Sequence, residues 1–313
     1  MKWLAFTLAF CLFVVDVYSD SDTIDWCYHD TSCDDRTWPV IAANFCNRSR
    51  QSPINIATAD AIEDGNLIGF TITNFTSTSA LVDITNTGKT VKVNIKKGVQ
   101  ISGGGLSEPY DSLQFHLHWG NRSTKGGSEH TVNGKRYPME LHLVNVKSRY
   151  NLNTSLALED STGLAALGFF IEADSSITTG EFWRNLTAYL RQIPLAGDHV
   201  NITHDIPLIG LLQGVDLTRY YRYLGSLTTP TCNEAVVWTV FKDPIRVSPE
   251  MIDLFSTELH INNTIDSPLM VNVFRNVQPD LLVTTQREDT TDDSVKLCAS
   301  LALLALSLVL SSS

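Results

Sequence analysis

Hydrophobic and polar residues alternate through much of the chain, which is typical of strands that bury one face. The run "ALVDITNTGKTVKVNI" has two alternating stretches separated by Asn86-Thr87-Gly88, and it predicts a β-hairpin. Strand-length apolar runs follow in "SLQFHLHWG", "MELHLVNVKS" and "GLAALGFFIEA". A later run, "AVVWTVFKDPIRV", is rich in β-branched and aromatic residues, which also favour strands.

Helical periodicity is rarer. The stretch "TTGEFWRNLTAYLRQI" spaces its apolar residues as a helix does, with Thr178 or Thr179 as the N-cap. A second helix is predicted in "SPEMIDLFSTEL", where Ser248 is the cap and Pro249 and Glu250 follow. Many strands and few helices predict an α+β fold. We expect a single domain on a large, mostly antiparallel central β-sheet with a few peripheral helices.

The first 19 residues have a short charged start, an apolar stretch, and small residues at Val17 and Ser19. This pattern predicts a secretory signal peptide, residues 1–19, cleaved after Ser19. The alternatives are a buried strand or a membrane anchor, but the apolar run is too short to span a bilayer.

A second apolar segment runs from Leu297 to Leu310, after the polar stretch "QREDTTDDS". Small residues, a polar stretch and an apolar terminus predict a GPI-anchor signal, so residues 295–313 would be removed. The attachment residue would be Ser294 or Asp293, although the spacer is shorter than usual. A short tail anchor is the alternative, but a spanning helix needs about 20 apolar residues.

The intervening residues 20–294 contain no repeat or linker, so we interpret them as one domain, long enough to bury a large core. The net charge of −11 and the lack of a basic cluster argue against a nucleic-acid partner. Many glycosylation sequons suit an extracellular surface. The candidate sites are Asn47, Asn74, Asn121, Asn153, Asn185, Asn201 and Asn262.

Two cysteines, Cys11 and Cys298, lie in the segments expected to be removed. The four that remain are Cys27, Cys33, Cys46 and Cys232. An even number in an oxidising compartment indicates disulfides, and three pairings are open. We favour the pair that is close in sequence, Cys27–Cys33, which leaves Cys46–Cys232 to close a very long loop.

Two histidines lie one residue apart in "LQFHLHWG". Side chains alternate along a strand, so His116 and His118 share a face with Gln114. Alone, such a pair is more often an ordinary polar face than a metal site. A third histidine, His142, lies in "MELHLVNV", with Glu140 on the same face.

If these two strands pair, three imidazoles converge. Three protein ligands with a fourth position left to water is the arrangement of catalytic zinc. Gln114 and Glu140 would then accept hydrogen bonds from the outer ring nitrogens of the ligands; otherwise both are ordinary surface residues.

Further motifs accompany this triad. "QSPINI" at residues 51–56, "QFHLHWG", "SEHTV", "ELHLV" and "GSLTTP" occur in the order and near the spacing of the alpha-class carbonic anhydrases. The resemblance covers about residues 26 to 278. The start "WCY", the second cysteine pair and the apolar tail resemble the extracellular, GPI-anchored branch of that family, similar to carbonic anhydrases four and fifteen.

The resemblance implies a Zn²⁺ cofactor bound by His116, His118 and His142, and the hydration of carbon dioxide to bicarbonate. Thr228 resembles the threonine that accepts a hydrogen bond from zinc-bound hydroxide, and Glu129 resembles the carboxylate that receives the threonine proton. An apolar wall would receive carbon dioxide. By the same resemblance the substrate contacts are Thr229, Leu227, Val144, Ala166, Val236 and Trp238. The long disulfide would brace the loop that carries Thr228.

The chain departs from the family in two places. Lys89 stands where fast members carry the histidine that passes a proton to solvent. The side-chain pKa in model peptides is about 6.5 for histidine and about 10.4 for lysine, so lysine is poorly matched to this transfer at neutral pH. We expect slower proton transfer, with His29 as a candidate substitute. In "VNVFRNVQP", Val273 replaces the asparagine whose backbone carbonyl holds a ligand histidine, and Phe274 replaces a tryptophan. We expect little effect on zinc from either change.

Two other functions compete with the enzyme. Some relatives have lost ligands and serve as silent, adhesion-like binding modules, but this chain retains the whole triad. An unrelated zinc hydrolase would need another base and a substrate cleft, and the remaining histidines, His130, His199, His204 and His260, are expected to be surface or core residues. The resemblance further implies binding of sulfonamide inhibitors, and bicarbonate transporters are a candidate partner class.

Overall fold

Residues 24–177 and 180–287 are described by the computed structural model, so the predicted signal peptide and the predicted anchor signal lie outside the described residues. The fold is built on a 13-stranded sheet and a separate pair of short strands. The strands are β1 Asn55–Ile56, β2 Ile62–Glu63, β3 Phe70–Thr73, β4 Leu81–Asn86, β5 Val91–Ile95, β6 Gln100–Gly103, β7 Tyr110–Trp119, β8 Thr131–Val132, β9 Met139–Lys147, β10 Leu164–Ala173, β11 His199–Asn201, β12 Tyr220–Gly225, β13 Val236–Phe241, β14 Ile245–Val247 and β15 Thr284–Thr285.

The long path through the large sheet is β11-β4-β5-β7-β9-β10-β13-β12-β15-β2. Most neighbours are antiparallel; β10 runs parallel to β13 and β14, and β15 runs parallel to β2. The expected α+β fold on one large sheet is therefore confirmed, and so is the hairpin of β4 and β5. The run that begins at Ala235 forms two strands, β13 and β14, because Lys242-Asp243-Pro244 interrupts it.

The helices are short and lie outside the sheet. They are α1 Trp38–Ile41, α2 Thr154–Glu159, α3 Glu181–Thr187, α4 Leu208–Leu211 and α5 Pro249–Thr257, with 3₁₀ turns at Thr58–Asp60, Ser148–Tyr150 and Leu190–Gln192. The predicted helix around α3 is therefore shorter than expected, because the backbone tightens into a 3₁₀ turn at its end. Gly180 occupies the N-cap position, and the candidate caps Thr178 and Thr179 lie outside the described residues. Ser248 is the N-cap of α5, but its side chain makes no capping hydrogen bond.

Alternation along the strands places one core on each face of the sheet. Phe115, Leu117 and Trp119 of β7 are fully buried against residues of α3 and α5 such as Trp183 and Phe255. The opposite face of the sheet carries a smaller cluster that includes Ala166, Tyr223 and Trp238. The predicted division of β7 into an apolar face and a histidine face therefore holds in the fold.

Two disulfides join the pairs that the sequence favours. Cys27 is bonded to Cys33, and Cys46 is bonded to Cys232. The second bond attaches the N-terminal segment to the loop after β12, and Gln51 Nε2 donates to the Cys232 carbonyl at 3.2 Å beside it. The N-terminal segment is thus fixed against the chain that carries Thr228.

The glycosylation candidates lie at the surface, with one exception. Asn185 is half-buried within α3, whereas the other six asparagines are exposed. Occupancy of these sites stays a prediction. Within residues 24–177 and 180–287, no helix has the length and apolar character to cross a bilayer.

Removal of the Cys46–Cys232 bond, by Cys46→Ser with Cys232→Ser, should lower the free energy of unfolding by about 5 kcal/mol, because the bond closes a long loop in the unfolded chain. The matched control removes Cys27–Cys33, which should cost only about 2 kcal/mol. The sequence separations are 186 and 6 residues. Urea unfolding of both double variants measures the losses. Equal losses would contradict the loop-closure explanation.

Candidate metal centre

Strand register brings the three histidines together. In the antiparallel pair of β7 and β9, His116 lies directly opposite His142, and His118 lies opposite Glu140. Because His116 and His118 are two residues apart, all three imidazoles project from the same face. The ring centroids are 4.6 to 5.3 Å apart, and one nitrogen of each ring lies within 4.8 Å of the others.

Each imidazole is held by an acceptor on its outer nitrogen. His116 Nδ1 donates to Gln114 Oε1 at 3.1 Å, and His142 Nε2 donates to Glu140 Oε1 at 2.8 Å. His118 Nδ1 donates to the backbone carbonyl of Val273 at 2.9 Å, so a side-chain change at this position leaves the acceptor intact. These bonds fix the tautomers. The lone pairs are left on His116 Nε2, His118 Nε2 and His142 Nδ1, which face one another.

Burial keeps the three rings neutral. Loss of hydration lowers the pKa of His116 well below its usual range, lowers that of His118 to about 4, and also lowers that of His142. His118 Nε2 is buried and has no hydrogen-bond partner among the described residues. An orphaned lone pair beside two others is the donor set of a metal ion, and neutral imidazole is the form that binds one.

His130 belongs to this site, although the sequence analysis set it aside as a surface or core residue. It is fully buried, its Nδ1 donates to Glu140 Oε1 at 2.7 Å, and its Nε2 lies 2.6 Å from the Tyr223 hydroxyl. Glu140 thus accepts hydrogen bonds from both His130 and His142. Burial alone would raise the pKa of Glu140, but these two histidines hold it well below its usual range. The sequence signal was its position in "SEHTV", next to Glu129.

Glu129 lies beneath the histidines and is fully buried. Its Oε1 accepts the backbone N–H of Arg275 at 2.8 Å, and its Oε2 lies 3.3 Å from His118 Nε2. Burial raises the pKa of this carboxyl to about 7, while His142 and the hydroxyl of Thr228 act to lower it. Its Oε2 has no partner at hydrogen-bonding geometry among the described residues, although Thr228 is buried beside it.

A small cavity of about 50 Å³ opens beside His116 and His142. Neighbouring strands bring its wall together: Val144 pairs with Ala166, and Ala166 pairs with Trp238. All six residues that the sequence analysis assigned to the substrate line this cavity, together with Leu164, which it did not identify. The lining residues are His116, His142, Val144, Leu164, Ala166, Leu227, Thr228, Thr229, Val236 and Trp238.

Lys89 follows β4 and is half-buried. Its Nζ lies 4.0 Å from the centroid of the Trp26 ring, and burial lowers its pKa while Asp25 opposes that shift. The ammonium group therefore packs on the N-terminal segment. His29, the candidate substitute for proton transfer, is exposed.

Comparison with known proteins agrees with this geometry. Residues 33–282 match the family model of the eukaryotic-type carbonic anhydrases. The chain is 34% identical over 262 residues to carbonic anhydrase 4 of Oryctolagus cuniculus, covering 82% of this chain and 81% of the relative. It is 32% identical over 258 residues to carbonic anhydrase 6 of Bos taurus, covering 82% and 77%.

The family and the site indicate the same activity. The family model matches most of the chain, and the same chain brings three imidazoles together beside a cavity. The chain therefore belongs to the eukaryotic-type carbonic anhydrase family, and it is an enzyme of the carbonate dehydratase type, a lyase.

Proposed function

We propose that this protein is a zinc carbonate dehydratase that converts carbon dioxide to bicarbonate and a proton at the outer face of the plasma membrane. The observation that carries the proposal is the set of three neutral imidazoles whose free lone pairs face one another. Three imidazole ligands, with space for a fourth, suit zinc in a catalytic rather than a structural role. When bound, zinc lowers the pKa of a coordinated water to about 7, a value known from carbonic anhydrases themselves.

Thr228 and Glu129 are buried side by side, which supports the roles proposed for them. In its ionised form the Glu129 carboxylate can only accept, so it would take the Thr228 proton and leave the threonine oxygen to accept from the nucleophile. Glu129 is itself held by the backbone N–H of Arg275. We infer that this relay orients one lone pair of the nucleophile toward the substrate, which lowers the entropic part of the barrier.

The apolar wall suits carbon dioxide, which is small and has no net charge. Val144, Ala166 and Trp238 offer it van der Waals contact and no competing hydrogen bond. Thr229 lies at the same cavity and is the group that would contact the anionic product. Sulfonamides, which are also anionic ligands of such sites, are the expected inhibitor class.

The location rests on the sequence of the two ends. A signal peptide at residues 1–19 and an anchor signal at residues 295–313, with attachment at Ser294, would place residues 20–294 outside the cell. Two disulfides and six exposed sequons suit that compartment. Bicarbonate transporters are the partner class that this location implies.

Replacement of Thr228 by valine keeps the volume and removes the hydroxyl. We expect zinc to remain bound and kcat/KM for carbon dioxide hydration to fall roughly 100-fold, the usual loss when one orienting polar group of a reacting centre is removed. The matched control is Thr231→Val, the same exchange at an exposed position on the same loop. Stopped-flow assays measure hydration, and zinc content shows whether the metal is retained. Unchanged activity of the Thr228 variant would refute the relay.

Replacement of Lys89 by histidine should raise kcat at saturating carbon dioxide by roughly tenfold, because imidazole exchanges protons near neutral pH and a half-buried lysine ammonium does not. The value of kcat/KM should not change, since proton transfer follows the hydration step. Added imidazole buffer should raise kcat of the unmodified enzyme in the same way. Stopped-flow assays measure both effects.

The control for the Lys89 variant is Lys96→His, which adds a histidine at an exposed position of the next turn. This variant should behave as the unmodified enzyme does. If neither Lys89→His nor imidazole changes kcat, then Lys89 does not limit the transfer of the proton, and His29→Ala becomes the next variant to measure.

A further inference from the structure

A second cavity lies on the face of the sheet opposite the histidines. In the pair of β12 and β13, Tyr223 and Trp238 face the metal centre, whereas Leu224 and Val237 face away from it. The cavity on that far side has a volume of about 260 Å³. Its lining residues are Asp64, Leu67, Gly105, Leu106, Ser107, Tyr110, Thr162, Arg222, Leu224, Val237 and Thr284.

Arg222 forms part of this lining, and only 8% of its surface is exposed. Its Nε and Nη2 donate to Thr239 Oγ1 at 3.2 and 3.0 Å, and Nη2 also donates to the Gly104 carbonyl at 2.6 Å. The guanidinium lies over the Tyr220 ring, 5.4 Å from its centroid. These contacts hold the group in one orientation, but every acceptor is neutral.

The charge of Arg222 has no counterion in contact with it. Within the described ranges 24–177 and 180–287, it forms no ion pair, and its Nη1 has no hydrogen-bond acceptor. Nη1 is not among the fully buried unpaired atoms, so it is open to the cavity. Burial lowers the pKa of Arg222, yet a guanidinium stays protonated in proteins. A buried cation without an anion is costly, and proteins normally pair it.

One carboxylate shares the cavity. Asp64 favours the charged form of Arg222 from a distance, but the two form no ion pair. Its Oδ1 already accepts from the backbone N–H and the side-chain amide of Asn66, at 2.9 and 2.8 Å. No hydrogen bond joins Asp64 to Nη1 in this arrangement. Its negative charge also opposes the entry of a dianion more strongly than that of a monoanion.

The turn that follows β6 keeps the approach to Nη1 open. Gly105 has a φ of +70°, a left-handed conformation that favours glycine. A Cβ added there would lie 2.9 Å from Leu67 Cδ2 and 3.4 Å from Arg222 Nη1. A larger residue would thus crowd Nη1, which has no acceptor among residues 24–177 and 180–287.

We propose that this cavity is a second anion site, which binds a small carboxylate-type monoanion through Nη1 of Arg222. A small oxyanion can accept a charge-assisted hydrogen bond from that nitrogen, and its charge compensates the buried guanidinium. The apolar side chains of Leu67, Leu106 and Val237 limit the ligand to a small one. Two sources share this chemistry: bicarbonate, which the enzyme itself produces, and organic carboxylates such as formate.

The test titrates an anion into the zinc-loaded enzyme saturated with a sulfonamide. Binding is monitored by the NMR chemical shifts of the backbone amides. The metal pocket is then closed, and residues 226–229 report on it separately from residues 103–107 of the second cavity. Formate and bicarbonate are titrated in parallel at constant ionic strength. We expect saturable shifts at residues 103–107, and the tighter of the two anions identifies the natural source. Shifts that are linear in concentration or confined to residues 226–229 would overturn the proposal.

Arg222→Met removes the charge at similar volume and should weaken binding at least tenfold. Arg219→Met, the same exchange at an exposed arginine paired with Asp243, is the matched control and should bind as the unmodified protein does. Leu224→Glu keeps the buried arginine and places a carboxylate at the exposed rim of the cavity, so it should also abolish binding, even if Arg222→Met does not fold. Undiminished binding by either variant would contradict the assignment.

Discussion

The register between β7 and β9 is the constraint on which the site depends. His116 lies opposite His142 in that register, and Gln114 and Glu140 lie close enough to hold the outer nitrogens. A slip of β7 by one residue would turn His116 and His118 into the opposite core, away from His142, and bring Phe115 and Leu117 to the cavity. Burial of those two apolar side chains therefore fixes the register, and the same contacts that stabilise the sheet also place the ligands.

Charge at the site is controlled by burial and by shared acceptors. The three imidazoles are neutral, and Glu140 is held ionised between His130 and His142. A single carboxylate thus orients a ligand and joins it to Tyr223 and the strand β12. The same strand turns Arg222 to the far face, where no carboxylate of the described residues contacts the buried positive charge. The two faces of one strand differ because only one of them supplies a carboxylate at contact distance.

Much of this could be predicted from the sequence because period-two alternation fixes which residues share a face. That rule placed His116 with His118 and His142 with Glu140, and the family motifs supplied Thr228 and Glu129. Other features depend on pairing between distant segments, which alternation does not encode. Leu164 reaches the cavity only because β10 lies between β9 and β13, and His130 contacts Glu140 only through the fold of the intervening loop. The helix α3 is short because the backbone tightens into a 3₁₀ turn beyond its end, and apolar spacing does not predict that change.

The central claim is that the three histidines hold the zinc on which carbon dioxide hydration depends. The most direct measurement uses the purified protein, stripped of metal by a chelator and assayed by stopped-flow hydration before and after metal is returned. The account predicts no activity without metal and full recovery at one equivalent of zinc, with sulfonamide inhibition of the recovered enzyme. Zinc-loaded protein that does not hydrate carbon dioxide would contradict the account and favour a binding module.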